Sequence, residues 1–497
     1  MSAIRFERAA FAYAGGAPVL SDLTLHLGPG WTGVVGANGA GKTTLLGLAT
    51  GALAPSSGAV VRDPSDPLCV VCAQRVDEPT PSVLALAGAV DGAALRWLDQ
   101  LGLDDGQLAR WPTLSPGERK RWQIGAALAA DPDVLALDEP TNHVDAEARG
   151  LLIRALGRFR GVGLVVSHDR DLLGALARRT VRVARGEARL YDGGYAAARA
   201  AWEAEEDERA ERWRAADQAR RALERQLDRA RRDEAGASHQ QRAGRRMKGA
   251  RDSDARSMGR TNVAEWAAAG AGRRVAAMSA RVDKARDASA GLAVEKEKGR
   301  AIFVGWEPPE RRRLVSLDGV PLIAGGQVLA PSVRGVVERT SRIHLAGRNG
   351  AGKSTLLAEL ARAAALPPER LLHLHQERTA DDGRALAAAI GRLDPATRGR
   401  LGQIAAALGL DPDAAVRSAA PSPGEARKLE LALGLARRAW LLLLDEPSNH
   451  LDLPSVERLE AALAGYPGAL VLVSHDHALA ARLTETRWEL DGGELRI

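Results

Sequence analysis

The stretch Gly36-Ala37-Asn38-Gly39-Ala40-Gly41-Lys42-Thr43-Thr44 constrains this chain more than any other. It fits G-x-x-x-x-G-K-[ST], follows the apolar run Trp31 to Val35 and precedes Leu45, Leu46 and Leu48. That order predicts a strand, a glycine loop and the start of a helix. Such a loop turns backbone N–H groups inward around a phosphate chain, and the new helix points its positive end at the same anion. Lys42 is expected to reach the β- and γ-phosphates, and the Thr43 hydroxyl to ligate Mg2+. The pattern returns as Gly347-Arg348-Asn349-Gly350-Ala351-Gly352-Lys353-Ser354-Thr355 in the same context. One match can be accidental; two predict a chain that binds two nucleotides.

Further motifs follow each loop in the same order. Val134-Leu135-Ala136-Leu137 runs into Asp138-Glu139-Pro140-Thr141-Asn142-His143-Val144-Asp145. A buried parallel strand that ends in two carboxylates presents one acid to Mg2+ and the other to water. Leu164-Val165-Val166 leads likewise into Ser167-His168-Asp169. Between the loop and these strands lies Ser115-Pro116-Gly117-Glu118, which reads as a capping box with proline at the first helical position. A capped helix start is also an anion site, so both readings can hold. Gln74, Ser115, Asp138 and Ser167 reappear as Gln376, Ser422, Asp445 and Ser474, within Ser422-Pro423-Gly424-Glu425, Asp445-Glu446-Pro447-Ser448-Asn449-His450-Leu451-Asp452 and Ser474-His475-Asp476. The near-constant spacing means one domain fold used twice. The expected architecture is α/β: two P-loop domains, residues 1–194 and 304–497, joined by an α-helical antiparallel hairpin over 195–303.

The hairpin expectation rests on apolar spacing. Trp213, Ala216, Leu223, Leu227 and Ala230 recur at three- and four-residue steps, as do Val275, Met278, Val282, Ala285 and Leu292 with one slot missing at Ser289. A break is expected over about Ala235 to Gly272, rich in Gly, Ser and Arg. The chain's net charge of +6 is uneven, with the excess of Lys and Arg lying between Trp202 and Arg300. Arg242 to Arg260 alone holds seven Lys and Arg against two Asp. A basic tip on a helical arm suits a phosphate backbone; the alternative is a solvated linker. Arg245, Arg246, Lys248, Arg251 and Arg256 are the expected RNA contacts, with Met247 or Met258 making apolar ones.

Smaller features bound the reading. Tyr13, just before Gly15-Gly16, could stack on an adenine ring or be a half-buried strand tyrosine. Cys69 and Cys72 form a C-x-x-C with no second pair and no nearby histidine, so buried structural thiols are expected rather than a redox or zinc site. No apolar run is long enough to span a bilayer and no secretory signal is visible, which makes the cytoplasm the default location.

Phosphate loop, glutamine, Ser-Pro-Gly signature, Asp-Glu strand end and switch histidine, in that order, resemble the ATP-binding cassette (ABC) ATPases over nearly all of residues 1–194 and 304–497. The resemblance implies two cassettes paired head to tail within a monomer, each ATP lying between one phosphate loop and the opposite signature. Site one would comprise Tyr13, Gly36, Asn38, Gly39, Gly41, Lys42, Thr43, Thr44, Gln74, Asp138, Glu139 and His168, closed by Ser422 and Gly424. Site two would comprise Gly347, Asn349, Gly350, Gly352, Lys353, Ser354, Thr355, Gln376, Asp445, Glu446 and His475, closed by Ser115 and Gly117. Mg2+ would be held by Thr43, Gln74 and Asp138 in the first site and by Ser354, Gln376 and Asp445 in the second. Glu139 and Glu446 would polarise the attacking water, and His168 and His475 would contact the γ-phosphate. Both sites are therefore expected to hydrolyse ATP. Departures are Pro116 and Pro423 where many relatives have glycine, Pro421 in place of leucine, and Ile323 near the place of Tyr13.

Two cassettes, no membrane span, a charged linker and Asp-Glu-Pro-[Thr/Ser]-Asn-His resemble the ABC-F branch in particular. The resemblance implies binding to the ribosome, with the linker pushed toward the P-site tRNA and the peptidyl-transferase centre of the large subunit. Little room separates Gln74 from Ser115 for the extra arm of some housekeeping members, and the chain ends soon after its second cassette. It is most similar to the antibiotic-resistance members. The alternatives are a housekeeping translation factor and, further away, a soluble double-cassette subunit of a transporter. DNA-repair and iron–sulfur relatives are excluded by cysteine count, since two cannot supply their metal sites.

Overall fold

The computed structural model describes residues 2–142, 144, 146–246, 254–291, 303, 305–376, 380–410 and 422–497. It divides into two compact units, residues 1–198 with 298–497 and residues 199–297.

The first unit contains both repeats. In the first, β1 (Ala3–Ala12), β2 (Pro18–Leu27) and β4 (Ser57–Asp63) form an antiparallel sheet in the order β2-β1-β4. The main sheet has the order β5-β6-β7-β3-β8-β9, made of β3 (Gly30–Val35), β5 (Cys69–Cys72), β6 (Val134–Asp138), β7 (Val162–Val166), β8 (Ala177–Ala184) and β9 (Glu187–Asp192). Its strands are parallel except β9. β7 and all of β6 before its terminal Asp138 are apolar because helices and the second sheet cover both faces, which leaves Leu135, Ala136, Leu164 and Val165 with no exposure.

The second repeat follows the same plan. β10 (Arg313–Ala324) and β11 (Gln327–Glu338) pair antiparallel. The main sheet, β13-β14-β15-β12-β16-β17, comprises β12 (Arg342–Ala346), β13 (Leu371–Leu374), β14 (Leu441–Asp445), β15 (Ala469–Val473), β16 (Thr486–Asp491) and β17 (Glu494–Arg496). The strand order matches the first repeat position for position, as the repeated motifs lead one to expect. Each repeat has its own apolar core between sheet and helices.

The second unit contains most of two long helices, Tyr195–Arg246 and Asp254–Gly291. The expected seam is present: Leu227 is 6% and Val282 2% exposed, and Trp213, Ala216, Val275, Met278 and Ala285 are half-buried. Arg286 crosses to Glu224 at 3.2 Å. The expected break over Ala235 to Gly272 is wrong in extent, because helix continues through Arg246 and resumes at Asp254. Isolated glycines cost a helix only about 1 kcal/mol each. Ala, Arg and Gln surround them, and no proline interrupts 195–307. Of the expected RNA contacts, Arg245, Arg246 and Arg256 fall on helical backbone, as does Met258. Their side chains, together with Lys248, Arg251 and Met247, lie outside the described residues.

Candidate functional site: two phosphate loops on one cavity

Each phosphate loop is shaped by a close backbone approach. Gly36 has φ +156°, and a Cβ there would lie 2.2 Å from the carbonyl oxygen of Val183; Gly347 has φ +149° and the same clearance to Leu490. Only glycine lets the loop leave its strand at that point. The following helices, Lys42–Thr50 and Lys353–Ala363, begin after Gly41 and Gly352, both left-handed. Lys42 is 9% exposed, and its Nζ donates to the carbonyls of Gly36 (2.9 Å) and Ala37 (3.0 Å). Lys353 does the same with Gly347 (2.8 Å) and Arg348 (3.0 Å). Burial lowers the Lys42 pKa, opposed by Glu139, Asp452 and Asp138.

The acidic strand ends lie beside these loops. Thr43 Oγ1 donates to Asp138 Oδ2 at 2.9 Å, and Ser354 bonds Asp445 in the same way. A hydroxyl paired with a carboxylate next to a phosphate loop suits Mg2+. Glu139 and Glu446 have φ +48° and +45°, a conformation costly for any residue with a side chain, and are 5% and 6% exposed. Their backbone N–H groups bond Val166 and Val473 of the neighbouring strands, both at 2.9 Å, which holds the turn in place. Burial pushes both carboxyls up to about 8. In each, Oε2 accepts from the backbone N–H of the switch histidine, at 3.2 Å from His168 and 3.3 Å from His475. In each, Oε1 is buried and faces Nε2 of the switch histidine, at 3.1 Å in Glu139 and 3.5 Å in Glu446. A buried carboxylate beside the switch histidine, at the same place in both repeats, fits a water to be polarised there.

The repeats meet at these groups. The backbone N–H of Asn38 donates to Asp452 Oδ2 at 2.8 Å, and the N–H of Leu453 donates to His168 Nδ1 at 3.1 Å. Because Nδ1 accepts, the ring proton of the neutral imidazole is on Nε2, which lies 3.1 Å from Glu139 Oε1. Burial first, then Lys42, pushes His168 down to about 4, so the ring is neutral at pH 7.

One cavity of about 1160 Å³ brings together Tyr13, Asn38, Gly39, Gly41, Lys42, Thr43, Thr44, Gln74, Asp138, Glu139 and His168 with Ser422 and Gly424. Asn349, Gly350, Gly352, Lys353, Ser354, Thr355, Gln376, Asp445, Glu446 and His475 line it too. Ser115 and Gly117 are not among its described lining residues, so the arrangement around the first phosphate loop is the more complete. Gly36 and Gly347 stay behind it as backbone supports. Both signatures have the expected capping box: Ser115 and Ser422 accept from the N–H groups of Glu118 and Glu425, whose carboxylates accept in return. Tyr13 is 55% exposed, packs edge-on against Phe11 and shares a hydrogen bond with Thr44 Oγ1 at 3.3 Å. In the second repeat Ala324 and Leu329, rather than Ile323, line the cavity.

Sequence reasoning passed over four residues. Arg427, 1% exposed, donates from one nitrogen to the Glu446 carbonyl and from another to those of His375 and Gln376, all at 2.8 Å. Lys120 occupies the same place in the first repeat and bonds the Ala73 carbonyl and Gln123. Lining up the repeats would have flagged this pair as cations under the two glutamine loops. Asp452 was visible as the end of a motif but had no role. Arg149 left no signal, since Val456 stands in its place in the second repeat.

Similarity to known proteins agrees with this construction. A family model described as ABC transporter matches residues 20–142 and 332–449. The tylosin resistance ATP-binding protein TlrC of Streptomyces fradiae is 33% identical over 546 residues, covering 96% of this chain and 95% of that protein. The energy-dependent translational throttle protein EttA of Mycobacterium tuberculosis (strain CDC 1551 / Oshkosh) is 26% identical, covering 95% and 87%. The ribosome protection protein VmlR of Bacillus subtilis (strain 168) is also 26% identical, covering 92% and 80%. Among solved structures, an RNase-L inhibitor shares the fold with a TM-score of 0.60 at 18% identity, over 98% of this chain and 90% of that one. None of the helices in the described residues is long and apolar enough to cross a membrane. With two cassettes of one strand order, a helical insertion between them and a 33% identical relative matched over 95% of its length, the chain belongs to the ABC-F family of ATP-binding cassette proteins.

Proposed function

We propose that this protein is an ATP-driven ribosome-protection factor of the cytoplasm that confers resistance to antibiotics acting on the large ribosomal subunit. The observation that carries the ATPase part is the doubled set of loop lysine, hydroxyl–carboxylate pair and buried glutamate facing one cavity. ATP would bind with its phosphates in the Gly36–Thr44 and Gly347–Thr355 loops, where Lys42 and Lys353 exchange loop carbonyls for phosphate oxygens. Mg2+ held by Thr43, Asp138 and Gln74, or by Ser354, Asp445 and Gln376, would neutralise phosphate charge. Glu139 and Glu446 would polarise the attacking water, and the Nε2–H of His168 would donate to the developing charge. Ser422 and Gly424 close the first site, and Ser115 and Gly117 the second when the cassettes draw together. The functional unit is a monomer whose two cassettes act as an internal pair.

The ribosomal part is supported by the names of the relatives, by the basic segment Arg242–Arg260 and by the helical insertion between the cassettes. ATP-bound protein would engage the large subunit and extend the 195–303 linker toward the P-site tRNA and peptidyl-transferase centre, with Arg245, Arg246, Lys248, Arg251 and Arg256 on RNA phosphates. Hydrolysis would release it. Similarity to EttA favours a second reading, a translation factor without drug specificity.

The test is co-sedimentation of the Glu139→Gln, Glu446→Gln double variant with ribosomes. ATP-dependent pelleting, with resistance conferred by the parent protein in a sensitive host, supports the proposal. Pelleting without resistance favours the translation-factor reading. If ATP binds and nothing pellets, the ribosomal role is wrong.

A further inference from the structure

Among the described residues, the opposite cassette reaches His168 at its ring and His475 at its backbone. His168 is gripped at ring Nδ1 by the Leu453 N–H. His475 is gripped at its backbone carbonyl, which accepts from Arg149 Nη1 at 3.0 Å. Arg149 sits on the helix Ala146–Leu156 of the first cassette and is 8% exposed.

Its guanidinium is aimed from its own side. Nη1 lies 3.5 Å from Asp169 Oδ2, and Nη2 lies 3.3 Å from Asp171 Oδ2. Asp169 is itself fixed, since its Oδ1 caps a helix by accepting from the N–H groups of Asp171 (2.9 Å) and Leu172 (3.0 Å). A planar donor braced by two carboxylates loses little freedom when it reaches a further acceptor. The contact falls on a consequential residue. The N–H of His475 donates to Glu446 Oε2, and its Nε2 lies 3.5 Å from Glu446 Oε1. Holding the carbonyl of His475 therefore limits rotation of the residue that orients the glutamate.

We infer that Arg149 is a positioning residue acting in trans on the second ATP site, holding the His475 backbone so that His475 and Glu446 keep their mutual geometry. The inference rests on the ATPase reading above. It makes the two sites unequal by construction, because the repeat equivalent of Arg149 is Val456, whose side chain has no donor.

The experiment measures steady-state ATP hydrolysis of Arg149→Met and Arg149→Lys in two backgrounds. Glu139→Gln leaves site two as the hydrolytic site, and Glu446→Gln leaves site one. In the Glu139→Gln background, Arg149→Met should lower kcat at least about tenfold with KM for ATP changed less than about threefold, the pattern of lost transition-state positioning. In the Glu446→Gln background the fall in kcat should be several-fold smaller. Arg149→Lys, which keeps a charge and a donor, should recover part of the site-two loss. It also reads the same ratio should the methionine variant melt below the assay temperature. Equal losses in both backgrounds, a rise confined to KM, or no loss at all overturns the inference. A parent protein that hydrolyses no ATP removes the ATPase reading itself and the inference with it, an outcome separable because it precedes any change at Arg149.

Discussion

Replacing Glu139 and Glu446 by glutamine should stabilise the nucleotide-free protein, and by more as pH rises. Burial holds both carboxyls at about 8 against an ordinary 4.5. A group whose folded pKa lies above its unfolded one binds more protons in the folded state. Its favourable contribution is complete below the unfolded value and is lost as pH rises through the folded one. The window is therefore about pH 4.5 to 8. At about 1.4 kcal/mol per pH unit, the upper bound is about 5 kcal/mol per carboxylate, reached only above pH 8. Relaxation of the cavity and water entry reduce this, and roughly 2–4 kcal/mol for the pair is the expectation. Glutamine has no charge to bury at any pH. By thermal denaturation without nucleotide, the double variant should gain little over the parent near pH 5. It should gain at least about 5 °C more near pH 8.5, at about 2–4 °C per kcal/mol for domains of this size. A difference in Tm that stays flat from pH 5 to 9, or shrinks with rising pH, would refute the claim that these carboxylates are buried at an ionisation penalty.

Two further outcomes follow from buried groups. Arg427→Met leaves the carbonyls of Glu446, His375 and Gln376 without their donor, and should cost about 3 kcal/mol or more in denaturant unfolding; a loss under about 1 kcal/mol means water replaces the guanidinium. Burial pushes the Cys72 thiol up to about 12 while Cys69 is only half-buried, so a thiol reagent at pH 8 should label Cys69 first and Cys72 only on unfolding. Equal labelling rates in the folded protein would contradict the burial of Cys72.

Local chemistry was legible in this chain because it repeats over short spans. The glycine loops, the Ser-x-x-Glu caps and the carboxylate-tipped apolar strands each depend on residues within a few positions, and each occurs twice. The same reasoning erred where the signal was compositional. Gly, Ser and Arg between Ala235 and Gly272 suggested a break, yet scattered glycines in an Ala- and Arg-rich, proline-free segment do not outweigh the helix on either side.

From sequence alone the chain determined its two-fold repeat, its strand–loop–helix units and most of the residues that converge at the phosphate loops. Backbone geometry and capping act between near neighbours, so spacing suffices to place them. Only the tertiary structure decided that Asp452 meets the Asn38 N–H, that Leu453 sets the tautomer of His168, and that Arg149 reaches His475. Those partners stand hundreds of residues apart, and nothing in a local pattern records which faces two folded repeats will press together. Their burial, in turn, is what moves Glu139 and His168 away from their ordinary protonation, because desolvation acts on a charge only once distant segments have excluded water from it.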